Sequence, residues 1–231
     1  AAAAAASERQ AIEQLQAFFC WFREHFPYYR GACGKCGADG HFLGLSRPSP
    51  EDQDRGGAAV AEIYRCATCN ATTSFPRFRT VLPALRARRG RCGEYSWAAL
   101  RLLEALGFPA RWADNHAGHV WAEARVRGRW VHVDPCEAAV DDPLLYARDW
   151  GNCPDHVLAY QVDPAPASAD AAGAAPAATV EDVTGRYRPA DAEPVGKKVR
   201  RAVAAALARA QKDAAVQVAG ECDPRGGCGK R

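Results

Sequence analysis

Arg89-Gly90-Arg91-Cys92-Gly93-Glu94-Tyr95-Ser96-Trp97-Ala98-Ala99-Leu100-Arg101-Leu102-Leu103-Glu104-Ala105-Leu106 decides how this chain is read, because it runs an arginine-rich loop into an amphipathic helix and puts a cysteine at the junction. Tyr95, Ala98, Ala99, Leu102, Leu103 and Leu106 recur at the i, i+3, i+4, i+7 spacing of one buried face, and Gly107-Phe108-Pro109 stops the helix. Cys92 would thus be held by a packed element. The thiolate is the nucleophilic form of cysteine, and a helix start with arginines nearby lowers the thiol pKa from its usual value of about 8.5. The competing reading is a small buried apolar side chain, the commoner fate of a free cysteine.

A nucleophile needs a base, and the stretch from His119 to Asp134 offers one. Arg127-Gly128 reads as the turn of a tight hairpin between His119-Val126 and Arg129-Val133. With a two-residue loop the paired positions sum to 255, so Trp121 faces Asp134, Glu123 faces His132, and His119 lies diagonal to Asp134 on the same sheet face. Val120, Ala122, Ala124, Val126, Val131 and Val133 then form the core side, and the polar face becomes the wall of a site. Cys92, His119 and Asp134 would be nucleophile, base and orienting acid, the constellation of acyl transfer. His132 on the same face is the alternative base, although its pairing with Glu123 is also an ordinary cross-strand contact. A loop of odd length would separate His119 from Asp134.

Cys33-Gly-Lys-Cys36 and Cys66-Ala-Thr-Cys69 supply four thiolates at the spacing of a closed tetrahedral zinc site, a structural metal with no open position. Two redox dithiols are the competing reading; Gly31, Gly34, Gly37 and Gly40 argue for turns and a knuckle instead. Pro48 to Gly57 reads as a polar loop with a mobile tip. Cys222 and Cys228, in a glycine-rich tail, are weak evidence for a second site.

Around these features, Ser7 to about Phe26 reads as a helix with Ile12, Leu15, Phe18, Phe19 and Phe22 on one face. Strands are expected at Ala110-Ala113, His156-Val162 and near Asp182-Tyr187, and a surface helix over Lys197-Val218. The order is α+β. The domains read as 1–32, a helical part of the core; 33–70, a zinc-binding insert; 71–190, the catalytic core with 164–178 as a disordered insertion; and 191–231, a helix and Cys/Gly tail. Thirty basic against 27 acidic residues are too balanced for nucleic acid or membrane as the main partner, and no run is long enough to cross a bilayer. Ten cysteines in a chain with 48% hydrophobic residues point to a reducing compartment rather than a disulfide scaffold. No methionine occurs, even at position one, so the chain reads as a fragment.

An ordered set of runs resembles the cytosolic peptide:N-glycanases. It comprises Trp21-Phe22-Arg23, the two C-x-x-C pairs, Ser74-Phe75-Pro76-Arg77-Phe78, Arg89 to Glu94, Ala105-Leu106-Gly107-Phe108 with Ala110-Arg111, His119-Val120-Trp121 with Glu123, and Trp130 with His132 and Asp134-Pro135-Cys136-Glu137. Pro143-Leu144-Leu145-Tyr146, Trp150-Gly151 and Asp182-Val183-Thr184 with Arg186-Tyr187 continue it. The resemblance implies a transglutaminase-like, papain-like core with its nucleophile at a helix start packed on an antiparallel sheet, plus the four-cysteine zinc insert. It assigns Cys92 as nucleophile, His119 as base and acid, Asp134 as orienter, and Cys33, Cys36, Cys66 and Cys69 as ligands of one zinc ion. The implied reaction hydrolyses the amide between an N-glycan and asparagine through a thioester on Cys92. Misfolded glycoproteins would be the substrates, in the cytoplasm, with ubiquitin-proteasome delivery factors as partners. The alternatives are a transglutaminase or cysteine protease of the same fold, or an inactive binding module, since Arg77 to Arg91 holds six arginines. Tyr95, Ser96 and Trp97, Asn115 to Gly118, Arg79 and Asp142 depart from the family pattern around the triad without touching it.

Overall fold

The computed structural model describes residues 2–162, 178–197, 199–205 and 207–209. It divides into two compact units, residues 1–110 with 119–142 and residues 111–118 with 143–231. Helices and antiparallel strands fall in separate runs along the chain, an α+β architecture.

In the first unit, helix α1 (Ala2–His25) buries Leu15, Phe19 and Phe22. It begins earlier than expected because Ala2 to Ala6 have the highest helix propensity of any residue type. Strands β1 (Gly40–Ser46), β2 (Ala61–Cys66) and β3 (Thr72–Pro76) form an antiparallel sheet in the order β1-β2-β3. The connection from β1 to β2 is not the loose loop expected: Pro50–Gly56 is a helix, α2. Ser49 caps it by accepting the Asp52 N–H at 3.1 Å, Pro50 opens it, and Gly57 closes it at φ 59°. These are ordinary helix signals on a segment too polar to show hydrophobic periodicity.

Helix α3 (Val81–Ala87) takes up the start of the arginine-rich stretch, and Arg88 ends it at φ 49°. Helix α4 (Cys92–Ala105) follows and packs against α3 and β5. Its C-terminus is a Schellman turn, in which Gly107 at φ 85° lets its own N–H reach the Glu104 carbonyl and the Phe108 N–H reach Leu103. The buried face includes Tyr95, Ser96, Ala98, Ala99, Leu100 and Leu103, whereas Leu106, expected on it, is 54% exposed at the turn.

Strands β5 (Val120–Val126) and β6 (Arg129–Asp134) form the anticipated hairpin, with the short β7 (Ala139–Val140) beside β6. Arg127 at φ 50° and Gly128 at φ 89° give the two left-handed residues of a type I′ turn. Ala122 pairs with Val133 and Glu123 with His132, so the register is the one read from the sequence. The polar face is not an open wall, however: Trp121, Glu123, His132 and Asp134 are all fully buried. Gln16 of α1 brackets β7, donating to the Ala138 carbonyl at 2.6 Å and accepting the Val140 N–H at 3.1 Å.

The second unit holds β4 (Ala110–Asp114), α5 (Leu145–Asp149), β8 (Leu158–Val162) and β9 (Ala178–Asp182), with β8 between β4 and β9. The strand expected over Asp182-Tyr187 ends at Asp182 and gives way to a 3-10 turn, Thr184–Tyr187. The cause is local: Asp182 Oδ1 accepts both the Thr184 N–H and its hydroxyl, which bends the chain out of the sheet. Helix is present at 197, 199–205 and 207–209; positions 198, 206 and 210–218 of the expected C-terminal helix, residues 164–177 of the expected insertion, and the Cys222/Cys228 tail lie outside the described residues. Among the described residues, no helix is long and apolar enough to cross a membrane.

Gly90 is a close-packing point. A Cβ there would meet the ring of fully buried Tyr95 at 2.5 Å, while Gly90 itself bridges Tyr28. Gly90→Ala is expected to cost about 1–3 kcal/mol in urea unfolding, the usual penalty of overpacking. An unchanged midpoint would show that the Tyr95 ring yields freely.

Candidate active site

Cys92 is the first residue of α4, and the segment before it is tied down on several sides. The Tyr29 N–H donates to the Gly90 carbonyl at 2.9 Å, and the Tyr95 hydroxyl donates to the Pro27 carbonyl at 2.9 Å. One turn into the helix, the Ser96 hydroxyl reaches the Val120 carbonyl at 2.9 Å, fixing α4 against the residue that follows His119. Sequence reading missed Tyr28, whose hydroxyl lies within hydrogen-bonding reach of Cys92; burial, with Cys92 and Cys136 nearby, pushes its phenol up to about 12. No spacing rule connects an aromatic pair after one helix with a cysteine sixty residues on.

His119 is buried just before β5, and its Nε2 lies 2.7 Å from Asp134 Oδ2. That contact leaves Nδ1 as the ring nitrogen for the Cys92 thiol, with which His119 is hydrogen-bonded. Asp134 is fully buried, and its second oxygen accepts the backbone N–H of Cys136 at 2.8 Å and of Glu137 at 3.3 Å. The Asp134-Pro135-Cys136-Glu137 turn therefore aims the carboxylate before it meets the imidazole. The structure brings together all three residues singled out in the sequence, in the order thiol, imidazole, carboxylate.

The electrostatics follow from this contact. Burial alone would lower the His119 pKa, but the hydrogen bonds to Asp134 and Cys92 and their negative charge carry it up to about 9. Burial pushes the Cys92 thiol up, yet the hydrogen bond and charge of His119, aided by the Val120 and Gly93 backbone N–H groups, bring it below its ordinary value. Both shifts run in the direction that favours a thiolate–imidazolium pair.

Two expectations change here. The arginines before Cys92 do not face it: Arg88 donates to the His25 carbonyl at 2.7 and 2.9 Å, Arg89 lies over the Tyr29 ring, and Arg91 donates to Glu62 at 2.7 Å. The helix start contributes through the Gly93 N–H, and His119 supplies the positive charge assigned to the arginines. His132, the alternative base, is fully buried and opposite Glu123, and burial holds its pKa down at about 4, so it stays neutral at pH 7.

Cys33, Cys36, Cys66 and Cys69 bring their sulfurs within 4.8 Å of one another, a cluster that could hold a metal ion. The two pairs make the same turn. In each, the N–H of the fourth residue after the first cysteine returns to that cysteine's carbonyl, Gly37 to Cys33 at 2.9 Å and Asn70 to Cys66 at 3.1 Å. Both of these residues are left-handed, Gly37 at φ 76° and Asn70 at φ 56°. Backbone N–H groups point at the sulfurs, Lys35 to Cys33 Sγ and Cys69 to Cys66 Sγ, each at 3.4 Å. Four thiolates at this separation repel strongly without a cation between them.

The family profile described as Transglutaminase-like superfamily matches residues 44–135, a span that contains Cys92, His119 and Asp134. A relative from Oryza sativa, named peptide-N(4)-(N-acetyl-beta-glucosaminyl)asparagine amidase, is 37% identical over 152 residues, covering 64% of this chain and 34% of the relative. Proteins of the same name from Caenorhabditis elegans and Kluyveromyces lactis are 39% and 33% identical, covering 63% and 74% of this chain and 24% and 43% of their own length. The chain carries a transglutaminase-like domain. It spans well under half the length of these curated relatives.

Within this transglutaminase-like core, the His119–Asp134 contact has a pH signature. His119 binds its proton more tightly folded, at about 9, than at its ordinary 6.5. The stabilisation it lends is therefore complete below about pH 6.5 and is lost as pH rises through about 9. Ring-proton NMR should show the His119 midpoint near 9, and Asp134→Asn should lower it by about one unit or more. A wild-type midpoint at 6.5 would contradict the ion pair.

Proposed function

We propose that this chain is the catalytic segment of a peptide:N-glycanase, hydrolysing the amide that joins an N-linked glycan to asparagine. The contact of Cys92, His119 and Asp134, in a chain whose curated relatives are named as asparagine amidases, carries this reading. The Cys92 thiolate would attack the carbonyl carbon of the glycosylated side-chain amide. The His119 imidazolium would pass its proton to the departing glycosylamine nitrogen as the C–N bond breaks, leaving a thioester on Sγ. A water, deprotonated by the now neutral His119, would then attack the thioester, giving aspartate and restoring the thiolate. Asp134 holds the ring orientation and the imidazolium charge throughout, without itself taking the proton.

Zinc suits the four-cysteine cluster. A tetrahedral ion with Zn–S distances of about 2.3 Å requires sulfur–sulfur edges of about 3.8 Å. Cys33–Cys69, Cys36–Cys66 and Cys36–Cys69 stand at 3.6, 3.5 and 3.5 Å. One zinc ion held by Cys33, Cys36, Cys66 and Cys69 would close the hairpin and leave no position for substrate, so its contribution is to folding. Misfolded N-glycoproteins in the cytoplasm, brought by ubiquitin-proteasome delivery factors, are the substrates this reading implies.

Nonspecific nucleic-acid binding by the arginine-rich stretch has less support, because Arg77, Arg88 and Arg91 are engaged by Glu94, the His25 carbonyl and Glu62. Transglutaminase or protease activity would use the same thiolate and is separated by the product.

Denatured glycoprotein incubated in heavy-oxygen water should release its glycan and gain one heavy oxygen at the former asparagine, and Cys92→Ala should abolish this. Amine incorporation or backbone cleavage in its place would assign the thiolate to the other chemistries, and an active Cys92→Ala would overturn the mechanism. Removing metal with a chelator should lower the melting temperature by several degrees; an unchanged melt would exclude a structural zinc.

A further inference from the structure

Between the cysteine hairpin and the start of α4, two glutamates and two arginines close into a ring. Glu62 on β2 accepts from Arg77 Nη1 at 3.0 Å and from Arg91 Nη1 and Nη2 at 3.2 and 2.7 Å. Arg77 reaches onward to Glu94, Nε to Oε1 at 2.8 Å and Nη2 to Oε2 at 3.4 Å. Glu94 Oε2 in turn accepts the backbone N–H of Arg91 at 3.0 Å, closing the ring on the residue that precedes Cys92. Tyr64, two residues along β2, donates to Glu62 and accepts from Arg91 Nη2, both at 2.5 Å.

This is unlike a surface ion pair. Glu62 and Glu94 are buried, the formal charges cancel, and each carboxylate takes donors from more than one residue, so removing one member leaves the others uncompensated away from water. The ring is also directional. Its one end is the backbone N–H that starts α4, the other the strand that runs on from Glu62 to Cys66. The Arg91 Nε also donates to the Tyr29 carbonyl at 3.1 Å, so the whole guanidinium is drawn away from the thiol.

We propose that Glu62 is a positioning residue for Cys92, and that the ring centred on it transmits closure of the four-cysteine hairpin to the start of α4. The proposal rests on Cys92 being the nucleophile. Glu62 does not touch the thiol; it holds the Arg91 guanidinium and, through Arg77, the Glu94 carboxylate that accepts the Arg91 backbone N–H just before Cys92. With the ring intact, metal in the hairpin does more than stabilise the chain: it sets the register of the thiol against the imidazole.

The test is the pH profile of Cys92 alkylation by iodoacetamide on the metal-loaded chain, followed at that residue by peptide mass spectrometry. The charged and titratable groups around Cys92 include His119 with Asp134 behind it, Tyr28, Cys136, Arg77 near Gly93, Arg91 before α4 and Glu94 on it, and all remain in every variant. Glu62→Gln should move the acid limb upward by about one pH unit, as the thiolate loses part of its imidazolium partner, and should lower kcat about tenfold with KM nearly constant. Glu62→Asp should recover part of both. Chelation should shift the wild-type limb in the same direction and add little in Glu62→Gln, because both act through one ring. A Glu62→Gln profile that superimposes on wild type, or shifts that simply add, would overturn the proposal. Should Glu62→Gln fail to fold, Tyr64→Phe keeps all four charges and removes the hydroxyl between Glu62 and Arg91; it should give a smaller shift in the same direction, and no shift would overturn the coupling. A wild-type Cys92 that reacts no faster than exposed Cys20 would overturn the nucleophile assignment, and the proposal with it.

Discussion

The His119 imidazole beside Cys92 favours a thiolate at the start of α4, and the buried Asp134 carboxylate behind the imidazole favours its protonated form. Burial opposes charge on Cys92 and on His119 alike. Each favours charge on the other, and Asp134, aimed by the N–H groups of Cys136 and Glu137, raises the His119 pKa further. Three side chains, from the start of α4, the residue before β5 and the end of β6, are held within contact. The type I′ turn at Arg127-Gly128 sets the strand register, and Ser96 pins the helix to Val120.

The cysteine hairpin takes part in the same problem from the other side. Its two matched turns bring four sulfurs together, and β2 carries that order to Glu62 and so to the residue before Cys92. A small polar unit of this kind has little apolar surface; its own cluster is Tyr29, Tyr64 and Phe75 with Ala32 against it. The ion ring supplies a cross-link that so small a core does not, and a metal ion in the cysteine cluster would supply another.

What could be read in the sequence was what depends on local spacing or parity. The face of α4, the 255 register and the two cysteine knuckles all follow from residues a few positions apart, and the structure bears out the register, the knuckles and the α4 face as far as Leu103, with Leu106 exposed. Helix α2 was missed although Ser49, Pro50 and Gly57 mark its ends, because a helix polar all round has no hydrophobic period. The arginines before Cys92 were misjudged for a different reason: nearness along the chain says nothing about where a long side chain points. Their side-chain partners, and the contacts of Glu62 with Arg77 and Arg91, lie 15 to 63 residues away, beyond any spacing rule. Tyr28 and Gly90 belong to the same class, contacts made by the fold between segments with no pattern in common.

The most direct test of the account is to trap the intermediate. A short glycosylated asparagine peptide mixed with the chain and quenched in acid within its first turnover should yield, by intact mass spectrometry, an adduct equal to the aspartyl peptide acyl group. That adduct should map to Cys92 and be removed by hydroxylamine, as a thioester is. Glycan release with no covalent species, or with the acyl group on any residue other than Cys92, would contradict the assignment on which the reading of this site depends.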